Sequence, residues 1–250
     1  MLPKKTKDVS EKPARRAAKH TLFLACEVFC VFSFVRLLRR RLISCALMAL
    51  LTMALLCIPR LIEAALDCRI ALPVYLFLLI YAMGALLGDG YDLYHLTSWW
   101  DKAMHLSSGV IFAMFGVFLA ERLNGGAETS LLLRAFFAFC LSVAASAVWE
   151  IFEYTADLIF HSDMQNDTYI TEINSYLLGE KLGIIGHIES IESVTVNGAP
   201  MVGYIDIGLI DTMRDMIIET AGALAYVAAF LFDRGRHPAF ASCGRTESAA

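Results

Sequence analysis

The feature that most constrains this chain is a succession of apolar runs whose length suits the roughly 30 Å hydrocarbon layer of a bilayer. In order they are Thr21–Val35, Leu42–Ile58, Ala71–Leu87, Ala103–Ala120, Leu131–Val148 and a last run from Asp211 to Phe232. Hydrophobic residues make up 58% of the chain, above the ~45–50% of an ordinary soluble domain. A backbone in lipid must satisfy its own hydrogen bonds, so runs this apolar predict helices. The expected fold is all-α: a polytopic transmembrane bundle of about six spans. The first run is the shortest and carries Glu27, so it either spans or lies at the interface.

Local signals set the boundaries. Pro59 closes the second run. Gly88-Asp89-Gly90 reads as a turn after the third, and Ser98-Trp99-Trp100 marks a membrane interface before the fourth. Asn124-Gly125-Gly126 ends the fourth, and the fifth continues helically to about Phe160. Residues 1–20 carry seven Lys or Arg and two acids, and read as a disordered basic tail against anionic lipid. Residues 21–70 hold two apolar segments and a mixed-charge connector from 60 to 70. Residues 71–232 form the core membrane domain, and 233–250 a short polar tail with Arg234, Arg236 and Arg245. Arg36 and Arg39-Arg40-Arg41 follow the first run with no small-residue cleavage site, which argues against a signal peptide. The charge count splits the same way whether or not that run crosses, so the positive-inside rule does not choose an orientation. Cysteine spacing shows no metal or redox pattern; Cys26 and Cys30 read as small buried hydrophobes.

Within the core domain, residues 161–210 are more polar and read as an extramembranous excursion. Asn197-Gly198 lies between Ser190–Val196 and Met201–Ile205, which predicts a β-hairpin on a type I′ turn.

The chemistry lies in the ionisable residues at the ends of runs. The fifth run closes with Glu150, Glu153 and Asp157 at i, i+3, i+7, one stripe of a helix. Chain order returns that end, the excursion and the start of the sixth run to the face where the fourth begins. The fourth opens with Asp101 and His105 at i, i+4, and Ser108 continues their face. The sixth opens with Asp211, Asp215 and Glu219, a stripe reaching about 12 Å along the helix. Lys102 and Arg214 are too few to neutralise so many acids. Crowded carboxylates share protons or bind a cation. Oxygen donors suit Mg²⁺, Mn²⁺ or Ca²⁺, and a histidine among them admits Zn²⁺ or Fe²⁺. The candidate metal ligands are Asp101, His105, Glu150, Asp211 and Asp215, with Glu153 or Glu219 as general base. Each residue also has a plainer reading: Asp101 as a helix N-cap, His105 bonded to a neighbouring helix, Glu153 and Asp157 solvated by water, and Asp211 meeting a helix dipole. Ser142, Ala145, Ser146, Gly222 and Ala223 are small enough for close helix packing around the acids.

Asp101-Lys102-x-x-His105-x-x-x-Gly109, Trp149-Glu150-x-x-Glu153 and Asp211-Thr212-x-x-Asp215-Met216 with Gly222-Ala223 resemble the YjdF-like inner-membrane proteins. In layout they are also similar to the VanZ-like proteins linked to glycopeptide resistance. Those carry an Asn in the last span where this chain has acids, and Glu219 is an addition. The resemblance covers about residues 71–232 and implies a multi-pass protein of the bacterial cytoplasmic membrane; it brings no reaction.

Three functions stay open at this point. One is metal-assisted hydrolysis or transfer on a lipid or envelope-linked substrate. Another is ion-coupled transport. The third is non-catalytic binding, with the excursion as recognition surface. No nucleophile elbow or phosphate-cradling glycine loop is present, and nothing points to nucleic acid. Membrane lipid is the expected partner, and the sequence does not set an oligomeric state.

Overall fold

A computed structural model describes residues 11–97, 99–124, 129–235 and 240–243. The first ten residues of the basic tail, Ser98, Gly125-Gly126, Arg236 and Arg245 lie outside the described residues.

The rest of the basic tail is helix. α1 runs Pro13–Arg39, with Pro13 in the first turn, where its fixed φ suits helix initiation. Disorder was the expectation to residue 20; Lys19 shows why helix wins. Its ammonium lies 2.8 Å from Glu11 Oε1, Glu63 Oε1 and the Ile70 carbonyl oxygen. Three donors meet three acceptors, which makes a buried lysine tolerable.

α2 spans Ile43–Leu56 and α3 Ile58–Ala65. Pro59 breaks the ladder at Cys57 but sits in the first turn of α3, where no donor is needed. The second span therefore continues through most of the expected 60–70 connector. After it come β1 (Cys68–Ile70), α4 (Leu72–Ala82) and α5 (Gly84–Gly90). Gly88-Asp89-Gly90 is helical and not the expected turn. A Cβ on Gly88 would lie 2.2 Å from the Tyr94 ring, so glycine serves packing there. α6 is Leu93–Leu96, α7 Trp100–Leu123, α8 Leu131–Phe160 and α9 Leu209–Phe232. A last strand, Ala241–Cys243, pairs antiparallel with β1. Among the described residues, six stretches are long and apolar enough to cross a membrane: Pro13–Arg39, Ile43–Ala65, Leu72–Gly90, Trp100–Leu123, Leu131–Phe160 and Leu209–Phe232. The all-α, six-span expectation holds, with only short strands added.

The chain divides into two compact units, residues 1–146 with 218–250, and residues 147–217. In the first, small residues bring helices together. A Cβ on Gly116 of α7 would stand 2.6 Å from Ala138 Cα of α8. Ala113, Val117, Ala135, Ala138, Ala223 and Phe230 form the buried apolar cluster around that contact.

In the second unit, three antiparallel strand pairs nest within the polar insertion. β2 (Thr168–Ile170) pairs with β7 (Tyr204–Asp206). β3 (Ile173–Ser175) pairs with β4 (Gly186–Ile188), and β5 (Val194–Val196) with β6 (Ala199–Met201). The β5–β6 hairpin turns at Asn197 and Gly198, both left-handed (φ 48° and 83°), as a type I′ turn requires. Its return strand is Ala199–Met201, not Met201–Ile205, because a two-residue turn pairs Val196 directly with Ala199.

Candidate functional site

α7 starts at Trp100, so Asp101 lies in its first turn; Trp99 occupies the N-cap position expected for Asp101. His105 follows one turn later, and its Nε2 lies 3.6 Å from Asp101 Oδ1. On the other side of the ring, Nδ1 lies 3.8 Å from Glu219 Oε2 of α9. Ser108 Oγ donates to Glu219 Oε1 at 2.8 Å. His105, Ser108 and Glu219 are buried, Glu219 to 2% exposure. The imidazole is thus bracketed by a carboxylate at each nitrogen, and one of those carboxylates is held by a hydroxyl.

Two glycines make this possible. A Cβ on Gly109 would fall 2.0 Å from the Glu219 carbonyl oxygen, and one on Gly222 2.2 Å from the Leu106 carbonyl oxygen. α7 and α9 therefore meet backbone to backbone, and the side chains next to the glycines are pressed together. Ser142 of α8 donates to the Gly109 carbonyl at 3.1 Å, adding a third helix to the same point.

The spacings carry chemical information. The contacts to Asp101 and Glu219, at 3.6 and 3.8 Å, are longer than direct hydrogen bonds. Two ligand atoms bound about 2.1 Å from a tetrahedral ion stand about 3.4 Å apart. The His105–Asp101 distance is close to that edge.

The second unit holds the remaining acids. Glu150 and Glu153 are buried on α8. Water was one expected partner for Glu153; its Oε1 instead accepts the Trp149 indole N–H at 2.8 Å. Asp157 accepts the Ser162 hydroxyl at 2.8 Å and the backbone N–H groups of Met164 and Gln165 at 2.7 and 2.9 Å. It closes the end of α8 and orders the chain that leaves it. Asp211 accepts the backbone and side-chain N–H of Asn166 at 3.0 and 3.2 Å. Asp206 accepts the Ile210 N–H at 2.7 Å and caps α9. Gln165 reaches Thr212 by a short side-chain hydrogen bond. Asp215 is buried one turn before Glu219 on α9.

Of the expected site residues, the first unit joins Asp101, His105 and Glu219. Asp101 and His105 bring carboxylate and imidazole donors to the start of α7, and Asp215 stands one helical turn before Glu219 on α9. In the second unit, Glu153 and Asp211 are engaged by Trp149 and Asn166. Sequence reading missed those two tethers. The i, i+4 spacing of Trp149 and Glu153 signals the first; nothing local signals the second, which spans 45 residues.

No curated protein and no solved structure matches the chain. A family model described as predicted membrane protein (DUF2238) matches residues 18–236, from within α1 to beyond α9. Matched over most of its length and built around six apolar helices, the chain belongs to this family of predicted membrane proteins.

Proposed function

We propose that the protein binds a divalent cation in the membrane, with Asp101 and His105 among the ligands. The observation that carries this reading is the buried His105, whose Nε2 faces Asp101 at 3.6 Å while Nδ1 faces Glu219 at 3.8 Å. Metal-ligating histidines commonly present one nitrogen to the ion and the other N–H to a carboxylate that orients the ring. Glu219, fixed by Ser108, suits the orienting role better than that of general base. Mixed carboxylate and imidazole donors make Zn²⁺ and Mn²⁺ the first ions to test.

The finer assignments rest on the motifs. The Asp-Lys-x-x-His start of α7 and the acids of α9 favour a protein of the YjdF-like kind, with the VanZ-like layout as a more distant parallel. With that goes a place in the bacterial cytoplasmic membrane and a lipid or envelope-linked ligand. If the cation serves catalysis, it would act as a Lewis acid in hydrolysis or transfer.

The test is metal analysis of the purified protein after equilibration with Zn²⁺ or Mn²⁺ and removal of free ion. The wild type should retain about one ion, and His105→Ala and Asp101→Asn should lose it while remaining folded. A wild type that retains none removes the reading. Proton or Na⁺ flux in proteoliposomes without bound metal would support ion-coupled transport in its place.

A further inference from the structure

The polar insertion carries apolar side chains where a water-facing loop should have none. Between β3 and β4, a 3₁₀ turn at Tyr176–Leu178 leads into a loop that ends at Gly186. Leu177 is 95% exposed, Tyr176 68%, and Ile184 and Ile185 52% each, while Leu182 is fully exposed. Isolated exposed apolar side chains are ordinary, but five large ones within ten residues are not.

The loop is built to hold them outward. A Cβ on Gly179 would lie 1.9 Å from the Ile184 carbonyl oxygen, and one on Gly186 2.1 Å from that of Leu178. The two sides of the loop thus touch through backbone, which leaves no interior for side chains. Ser175 Oγ accepts the Leu177 N–H at 3.1 Å. The N–H groups of Gly179 and Ile184 go to the carbonyls of Tyr176 and Lys181 at 3.2 and 3.1 Å. β3–β4 pairing, from Ile173↔Ile188 to Ser175↔Gly186, closes its base. The result is a hydrogen-bonded platform with a leucine- and isoleucine-rich outer surface.

We infer that this loop inserts its apolar side chains into the interfacial layer of the same membrane that α8 and α9 cross. The insertion leaves the span of α8 at Phe160 and enters that of α9 at Leu209, so both its ends are fixed at the bilayer. The approach to α9 is itself apolar and open, with Ile207 and Leu209 both exposed. Internal pairing of backbone groups is what a solvent unable to hydrogen-bond demands. Tyr176 and Lys181 are residue types that place a polar tip at the headgroups and an apolar body below. The only Lys or Arg between residues 161 and 208 is Lys181, against several acids. Attachment is therefore hydrophobic, and it holds equally on neutral and anionic lipid.

The test uses the full chain in phosphatidylcholine vesicles, with Leu182→Trp and, separately, Leu177→Trp. Emission of the native Trp99, Trp100 and Trp149, measured in the wild type, is subtracted. The added indole should emit at short wavelength and lose at least half its intensity to lipids brominated on the acyl chain. Acrylamide on both sides should quench it severalfold less than free tryptophan. Adding anionic lipid should change neither result. Full quenching by acrylamide with none by bromolipid overturns the inference. Protection from both quenchers that disappears when protein is diluted into excess lipid also overturns it, and names a second copy of the chain as the occupant.

Discussion

Three carboxylates of the insertion and Glu219 of the helical bundle are held by different kinds of partner. In the insertion, Asp157, Asp206 and Asp211 accept backbone N–H groups from the chain around them. These acids are consumed in building loops and a helix start. In the bundle, Glu219 meets a serine hydroxyl and an imidazole, both side chains of another span. Backbone N–H groups within a helix are already taken, so a carboxylate deep in a span finds its donors on side chains. Acids that close loops stabilise the fold, whereas acids facing a histidine among apolar helices are arranged for a proton or a cation.

The strongest way to break this contrast is at the glycines that press the bundle acids together. Gly109→Val places two methyls and a Cβ where the Glu219 carbonyl oxygen stands 2.0 Å away. Backbone cannot move aside as a flexible side chain can, and overpacking of this kind costs about 3 kcal/mol. The expected outcome is a clear loss of thermal stability in detergent, with cation retention lost alongside. Unchanged stability would mean that α7 and α9 do not meet at this point.

Next in size is Asp157→Ala, which removes one carboxylate from three donors. A hydrogen bond to a charged group contributes about 1.5–3 kcal/mol; with the site half-buried, the net loss should be about 2 kcal/mol. Hydrogen exchange should accelerate at the amides of Met164 and Gln165, and cation retention should be unchanged. Lost cation binding with unaltered exchange would reverse the roles assigned to the two groups of acids.

These two cases also show what the sequence makes legible. Span number follows from apolar run length, and the Asp101, His105 and Glu219 stripes follow from helical spacing. The β5–β6 turn follows from Asn197-Gly198, whose left-handed backbone is a local property. By contrast, the helicity of residues 13–20 depends on Lys19 finding Glu63 and Ile70, partners far along the chain. Gly88 reads as a turn because a glycine's local permissiveness is visible in sequence, whereas the Tyr94 ring packed over it is not. The engagement of Asp211 by Asn166 is hidden for the same reason: its warrant is long-range geometry.

Ser108→Ala sharpens the comparison on the bundle side. It removes a 2.8 Å hydrogen bond to a buried carboxylate and adds no bulk. The stability loss should be about 1 kcal/mol. If Glu219 orients His105 for an ion, affinity for Zn²⁺ or Mn²⁺ should fall at least about 10-fold, the usual effect of losing an outer-shell partner. A stability loss with unaltered affinity would reduce Ser108 and Glu219 to packing.

The smallest effect belongs to Asp163, on the insertion side, and its sign separates electrostatics from structure. Its carboxyl is raised above the usual aspartate range, first by partial burial and then by the charges of Asp167, Asp157 and Asp211. A hydrogen bond from the Asp167 backbone offsets part of this. With its pKa higher in the folded state, the native protein binds more protons than the unfolded chain between the two values. Stability therefore declines as pH rises from the unfolded pKa through the folded one, and the penalty persists above it. Asp163→Asn should relieve the penalty: a small stabilisation near neutral pH that vanishes below about pH 3, where aspartates are protonated in either state. The side chain is exposed, so salt should also shrink the gain. Thermal unfolding at the two pH values, with and without added NaCl, checks it. A gain that is the same at both would mean the substitution acts through loop structure, placing Asp163 with Asp157 and Asp211 and not among the mutually repelling charges.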